Sequence, residues 1–255
     1  GERMGTSSIF RGNNDRNPLL PSDYEEQGRD QVQSVTWKTA KTDMSKYITS
    51  EGTHGSAGHI IRQAIRANGG AKRMIANSPS SIRAAKSIGR FFAGIRADGI
   101  YVTLQQLGIQ YEGRSVAGIF SHLINVIAPA ADTKEDIVAR KASQAAICNM
   151  YEYVADNNMD FSCMDKMPSD VMDHAMKSFL TEYIWASIMK DLECRIEQYM
   201  AGATSACERE KELKDIIEAV VDVEYDNHGT LINADINDAV SALSERCLAV
   251  LEGIV

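Results

Sequence analysis

"SDVMDHAMKSFLTEYIWASIMKDLECRIEQYMA", residues 169–201, decides the fold. Apolar side chains return every three or four positions: Met172, Ala175, Met176, Phe179, Leu180, Tyr183, Ile184, Ile188, Leu192, Ile196 and Tyr199. That spacing gathers them into one stripe of a 3.6-residue helix, and no period of two fits it. Ser169 stands where an N-cap would open the helix. A stripe this long needs other helices to cover it.

The same period recurs on both sides. Upstream it predicts helices over 57–67, 80–97, 99–107, 115–129 and 134–156, and downstream over 208–223 and 234–251. Asn68-Gly69-Gly70 is a strong stop signal, and Ser80 reads as the N-cap that follows. Thr133-Lys134-Glu135-Asp136 has capping-box spacing, a hydroxyl followed three residues later by an acid. Val35, Trp37, Ala40, Met44 and Tyr47 fit one short helix. No stretch sustains β-branched alternation. The fold class is therefore all-α: a multi-helix bundle with a flexible, largely unstructured N-terminal tail over 1–34, whose Gly, Asn, Asp, Ser and Pro content cannot support a core.

"DNNMDFSCMDKMPSD", residues 156–170, interrupts the helical pattern and suggests a boundary. It separates an N-terminal helical domain, 35–157, from a C-terminal antiparallel bundle, 158–255. Met159, Phe161, Met164 and Met167 favour a connection that packs down, so two subdomains with one shared core serve as well as two independent units.

Composition excludes several classes. The 255 residues are 44% hydrophobic and 24% charged with 5 prolines, an ordinary globular mix, while 7% aromatic content favours helices over a β-sandwich. Five cysteines (Cys148, Cys163, Cys194, Cys207 and Cys247) form no C-x-x-C pair and read as reduced thiols of a cytoplasmic protein. The most apolar window, 115–131, is broken by Ser121, His122, Asn125 and Pro129 and is a core helix rather than a membrane span. No secretory signal pattern opens the chain.

The net charge of −8 is unevenly spread. Residues 52–97 hold eight Lys/Arg and no acid, while residues 150–255 hold 22 acids against 8 bases. Such poles favour charge-steered association. Arg83, Lys86 and Arg90 fall at i, i+3 and i+7 on one face; Arg62 and Arg66 form an i, i+4 pair, with Lys72 and Arg73 between the two groups. This charged face suits either docking or tracking of phosphates, and pairing with the acidic half explains it more simply. Nucleic acid is a possible partner but not the favoured one, because Phe91 and Phe92 fit core positions and leave no stacking platform.

Metal and enzyme signatures are missing. "EYDNHGTLINAD", 224–235, resembles a calcium loop, but Glu224, His228 and Asp235 replace three of its ligand residues. The five histidines show no H-E-x-x-H and no cysteine partner at zinc spacing, and His122 reads as a core histidine. No P-loop, G-x-S-x-G or G-x-G-x-x-G is present. Neither a cofactor nor a metal is expected, and the chain reads as non-enzymatic.

The head is more informative. Met4-Gly5-Thr6-Ser7-Ser8 is followed by Ile9, where a myristoylation signal would want Ser or Thr. Its small residues suit a peptide threaded into another protein's pocket. "MGTSSIFRGNNDRNPLLPSDYE" (4–25), "SVTWKTAKTDMSKYI" (34–48), "ANGGAKRMIANSPSSIRAAKSIGRFFAGIRADGIYVTLQQLGI" (67–109) and "DTKEDIVARKASQAA" (132–146) together resemble QatB-like proteins of the Qat anti-phage defence systems of bacteria. The resemblance covers residues 4–157, and the rest adds a compatible helical pattern.

That resemblance implies a non-enzymatic protein working beside an ATPase, a QueC-like (QatC-like) enzyme and a TatD-like nuclease. In related defence systems such QueC-like enzymes are associated with attaching a deazaguanine group to a protein's N-terminal glycine. By the same resemblance Gly5 is the modification acceptor once Met4 is removed. Thr6, Ser7, Ser8, Ile9, Phe10, Pro18, Leu19, Leu20 and Pro21 then form the partner-binding tail. Gly1-Glu2-Arg3 precedes Met4 and makes Gly1 the alternative acceptor.

Overall fold

The structure is a computed structural model that describes residues 37–49, 56–130, 132–190, 204–228 and 236–253. Among the described residues the chain is helical and contains no strand. The elements are α1 (Trp37–Thr49), α2 (Ala57–Ala67), α3 (Ala71–Ala76), α4 (Pro79–Asp98), α5 (Ile100–Gln106), α6 (Val116–Ile127) and α7 (Lys134–Asp156). A 3-10 helix (Phe161–Lys166) leads to α8 (Ser169–Met189), α9 (Thr204–His228) and α10 (Ile236–Glu252).

The hairpin of α7 and α8 is the most extensive helix pair. Small residues make the approach close: Ala139, Ala142 and Ala146 line the inner face of α7, with Ile147, Met150 and Val154 continuing it. Opposite them lie Met176, Phe179, Leu180 and Ile184, all buried, each large side chain contributing about 1.5–3 kcal/mol by leaving water. From Tyr183 to Met189 every side chain of α8 is buried. The predicted stripe thus widens to the full circumference, because α4 and α9 close over it. The predicted continuation over 191–201 lies outside the described residues. Buried residues from Met44 to Leu251 form one hydrophobic cluster, with members on both sides of residue 158.

Local signals set most boundaries. The Thr133 hydroxyl accepts from the Asp136 N–H at 3.1 Å and Asp136 accepts from the Thr133 N–H at 3.1 Å, the expected capping box. Gly69 (φ 91°) ends α2 in a Schellman turn, with the Gly70 N–H donating to Ile65 O.

Two predicted caps are corrected. Ser80 does not cap α4, whose cap is Ser78, two residues earlier, with Pro79 in its first turn, where a missing N–H costs nothing. Ser169 lies inside α8 behind Pro168 and receives a hydrogen bond from Arg96. Helix α9 also runs longer than the apolar period indicates, because Glu224 and Tyr225 are buried near its end.

Candidate interaction surface

The basic residues divide between two places. Arg62 on α2 lies against Gly253, at the end of α10. One turn on, Arg66 is half-buried and stabilises the charge of Glu252, which is 2% exposed and accepts the Ala71 N–H at 3.2 Å. Burial pushes the Glu252 carboxyl up, and the Ala71 N–H and Arg66 pull it partly back. Arg73 folds its stem over Gly69, and Lys72 is exposed. Of this first group, Arg62 and Arg66 lie against the end of α10.

The second group stays on the surface of α4. Arg83 and Arg90 are exposed and Lys86 is half-buried. Arg83 donates to the Ser80 hydroxyl at 3.4 Å, and that hydroxyl donates to Asp136 at 2.7 Å. Phe91 and Phe92 are buried, as their pattern predicts. The acidic residues of α9 meet other cations: Lys177 pairs with Asp222 and Asp226 at 2.6 and 2.9 Å, and Arg246 holds Glu224 at 3.1 Å. Arg66 beside Glu252 ties the basic segment to the acidic half.

Helix geometry places His122 and the start of the 224–235 stretch, whose residues 229–235 lie outside the described residues. His122 is half-exposed rather than a core residue, with its Nδ1 3.3 Å from Arg114. Residues 224–228 continue α9, with Glu224 bonded to His228 at 3.0 Å, so the first calcium-loop positions are helical and already paired. Among the described residues no group of His, Cys, Asp and Glu is arranged to hold a metal. Cys148 and Cys207 are exposed, Cys163 is half-buried and Cys247 is buried, all as free thiols, and burial drives the Cys247 thiol up to about 12.

Two surface features escape the sequence reading. An acidic cleft is lined by Asn149, Glu152, Tyr153, Asp156, Asp170, Val171 and His174, where the end of α7 passes the start of α8. An aromatic strip links Tyr101, Tyr111, Phe120, Tyr151 and Phe161. The exposed rings at 101 and 151 are the signal in the sequence, but their convergence depends on tertiary packing. The head residues Gly1, Gly5, Thr6, Ser7, Ser8, Ile9, Phe10, Pro18, Leu19, Leu20 and Pro21 lie outside the described residues.

The exposed cations of the basic segment thus gather as a stripe on α4, while acids of α9 pair with Lys177 and Arg246. Residues 69–251 match the family described as Qat anti-phage system associated protein QatB, and the chain belongs to that family. It is a component of a Qat anti-phage system. The match reaches well beyond the 4–157 span of the sequence resemblance and takes in α8, α9 and most of α10. No curated protein and no solved structure matched the chain. No helix among the described residues is long and apolar enough to cross a membrane.

Proposed function

We propose that the protein is a non-enzymatic component whose N-terminal tail is bound by a QueC-like partner and modified there by deazaguanine conjugation. Family membership over residues 69–251 is the observation that carries this reading. The letters of the head support it: Gly5 is followed by Thr6, Ser7 and Ser8, which are small enough for a narrow pocket. Ile9, Phe10, Leu19 and Leu20 add apolar groups to the tail, with Pro18 to Pro21 as the hinge that presents it. Gly5 is the acceptor and Gly1 the alternative. The helical body docks the partner through its charged faces, with the ATPase and the TatD-like nuclease as further partners in the bacterial cytoplasm.

Coexpression with the QueC-like enzyme, followed by intact-mass and N-terminal peptide analysis, tests the proposal. A mass gain on the Gly5 peptide, lost on Gly5→Val, supports it. An unchanged N-terminal mass beside active enzyme overturns it, and a gain on Gly1 reassigns the acceptor.

A second reading rests on the outward stripe of Arg83, Lys86 and Arg90 on α4. Such a stripe would bind nucleic acid through phosphates, with affinity falling steeply as salt rises. Absence of binding at low salt removes it.

A further inference from the structure

Five aromatic rings run in contact across four helices and a loop. Tyr111, on the loop after α5, meets Tyr101 of α5 at 4.8 Å between centroids, and Tyr101 meets Phe161 of the 3-10 helix at 6.1 Å. Phe161 meets Phe120 of α6 at 5.9 Å, and Phe120 meets Tyr151 of α7 at 6.3 Å. Phe120 is the buried anchor, whereas Tyr101 and Tyr151 are 36% and 37% exposed. Two residues before Phe161, Met159 is held in the left-handed region with φ 58° and is 45% exposed. Large apolar groups left this open in one neighbourhood mark a contact surface.

The surroundings are predominantly acidic. Glu112, Glu152, Asp156, Asp160 and Asp165 are exposed around the strip, against Arg114 and Lys166 at its margins. An occupant with apolar side chains and arginines fits such a strip, since a guanidinium stacks on tyrosine while it faces a carboxylate.

Residues 9–21, "IFRGNNDRNPLLP", have that composition: Ile9, Phe10, Leu19 and Leu20, with Arg11 and Arg16 against Asp15 alone. The flanking prolines lower the cost of ordering the leucine pair, and proline-bounded apolar segments suit aromatic-lined surfaces. Reach is sufficient. The 16 residues from Pro21 to Trp37 span up to about 50 Å when extended, more than the roughly 35–45 Å width of a body this size.

We propose that residues 9–21 of the chain's own head dock on this aromatic strip, with the apolar side chains on the rings and Arg11 and Arg16 toward the surrounding acids. Anchoring there leaves the Gly5 end to project for a partner enzyme. The inference does not depend on any modification, and its test uses the chain alone.

Hydroxyl-radical footprinting of the dilute full chain reads the oxidation rates of Met159, Tyr101 and Tyr151. The comparison is with Arg11→Glu/Arg16→Glu, which changes nothing in the packed body. Docking predicts rates about threefold higher in the variant, the change expected if roughly two thirds of the wild-type chains are docked. A photo-crosslinker at position 20 should join residues 101–161 of the same chain. Equal oxidation rates, or crosslinks confined to other surfaces, overturn the proposal. Crosslinks between isotopically light and heavy chains overturn it in favour of exchange between copies.

Discussion

Glu135, in the first turn of α7, accepts the Ser81 N–H at 2.8 Å and the Ser81 hydroxyl at 3.0 Å, and its other oxygen accepts the Ser80 N–H at 3.1 Å. One helix therefore caps the start of another. Pro79 removes one orphan donor of α4, and the Glu135 carboxylate takes the next two while complementing the helix dipole. Glu135→Ala should lower unfolding stability by about 1–3 kcal/mol, since it leaves part-buried donors unpaired. Glu135→Gln, which keeps an acceptor, should cost less than half of that. Urea unfolding followed by circular dichroism measures both.

Tyr183 ties α8 to the turn before α4. Its hydroxyl donates to Ser78 Oγ at 2.8 Å, and Ser78 in turn donates to Met74 O at 2.6 Å. Burial drives the phenol up to about 12, so it remains a donor through the working pH range. Tyr183→Phe keeps the packing and loses one buried bond, for an expected loss of about 1 kcal/mol. Ser78→Ala removes both bonds at once, the one from Tyr183 and the one to Met74 O, and should cost more. The order of the two in thermal or urea unfolding is the check.

These two ties show which parts of the fold were legible. The stripe on residues 172–188 and the box at Thr133 are local signals, since the apolar period and the cap are written within a few residues. Ser80 sits inside the first turn of α4 instead of capping it, its N–H donating to Glu135 and its hydroxyl to Asp136, 55 and 56 residues away, which no local window contains. The basic segment read as one face, yet Arg62 and Arg66 turn toward the end of α10 while Arg83 and Arg90 face water. Sequence supplied their charge and only packing supplied their neighbours. The aromatic strip was hidden for the same reason.

Glu252 gives the fold a pH signature. Its carboxyl is raised above the ordinary value of 4.5, chiefly by burial. A carboxyl whose folded value is raised holds its proton more tightly in the folded state. Its contribution is therefore greatest below 4.5 and is lost as pH rises through the higher folded value. Glu252→Gln keeps an acceptor for the Ala71 N–H and removes that titration. Stability of wild type relative to Glu252→Gln should fall as pH rises above 4.5, measured by urea unfolding at each pH. A difference that stays flat or rises across this range contradicts the assignment.

Asn158 and Met159 close α7 with two successive left-handed residues, each at φ 58°. The Asn158 N–H donates to Ala155 O and the Met159 N–H to Val154 O, a Schellman turn with asparagine where glycine is usual. Asparagine tolerates this region, but methionine pays about 1 kcal/mol there. Met159 is largely exposed, so replacing it removes little buried area. Met159→Gly should relieve the strain and roughly offset glycine's extra unfolded-state entropy, leaving stability unchanged within about 0.5 kcal/mol. Met159→Val adds a β-branch in the same conformation and should destabilise by about 1 kcal/mol or more. Equal stability of the two variants in urea unfolding would show that the left-handed backbone at 159 does not govern this turn.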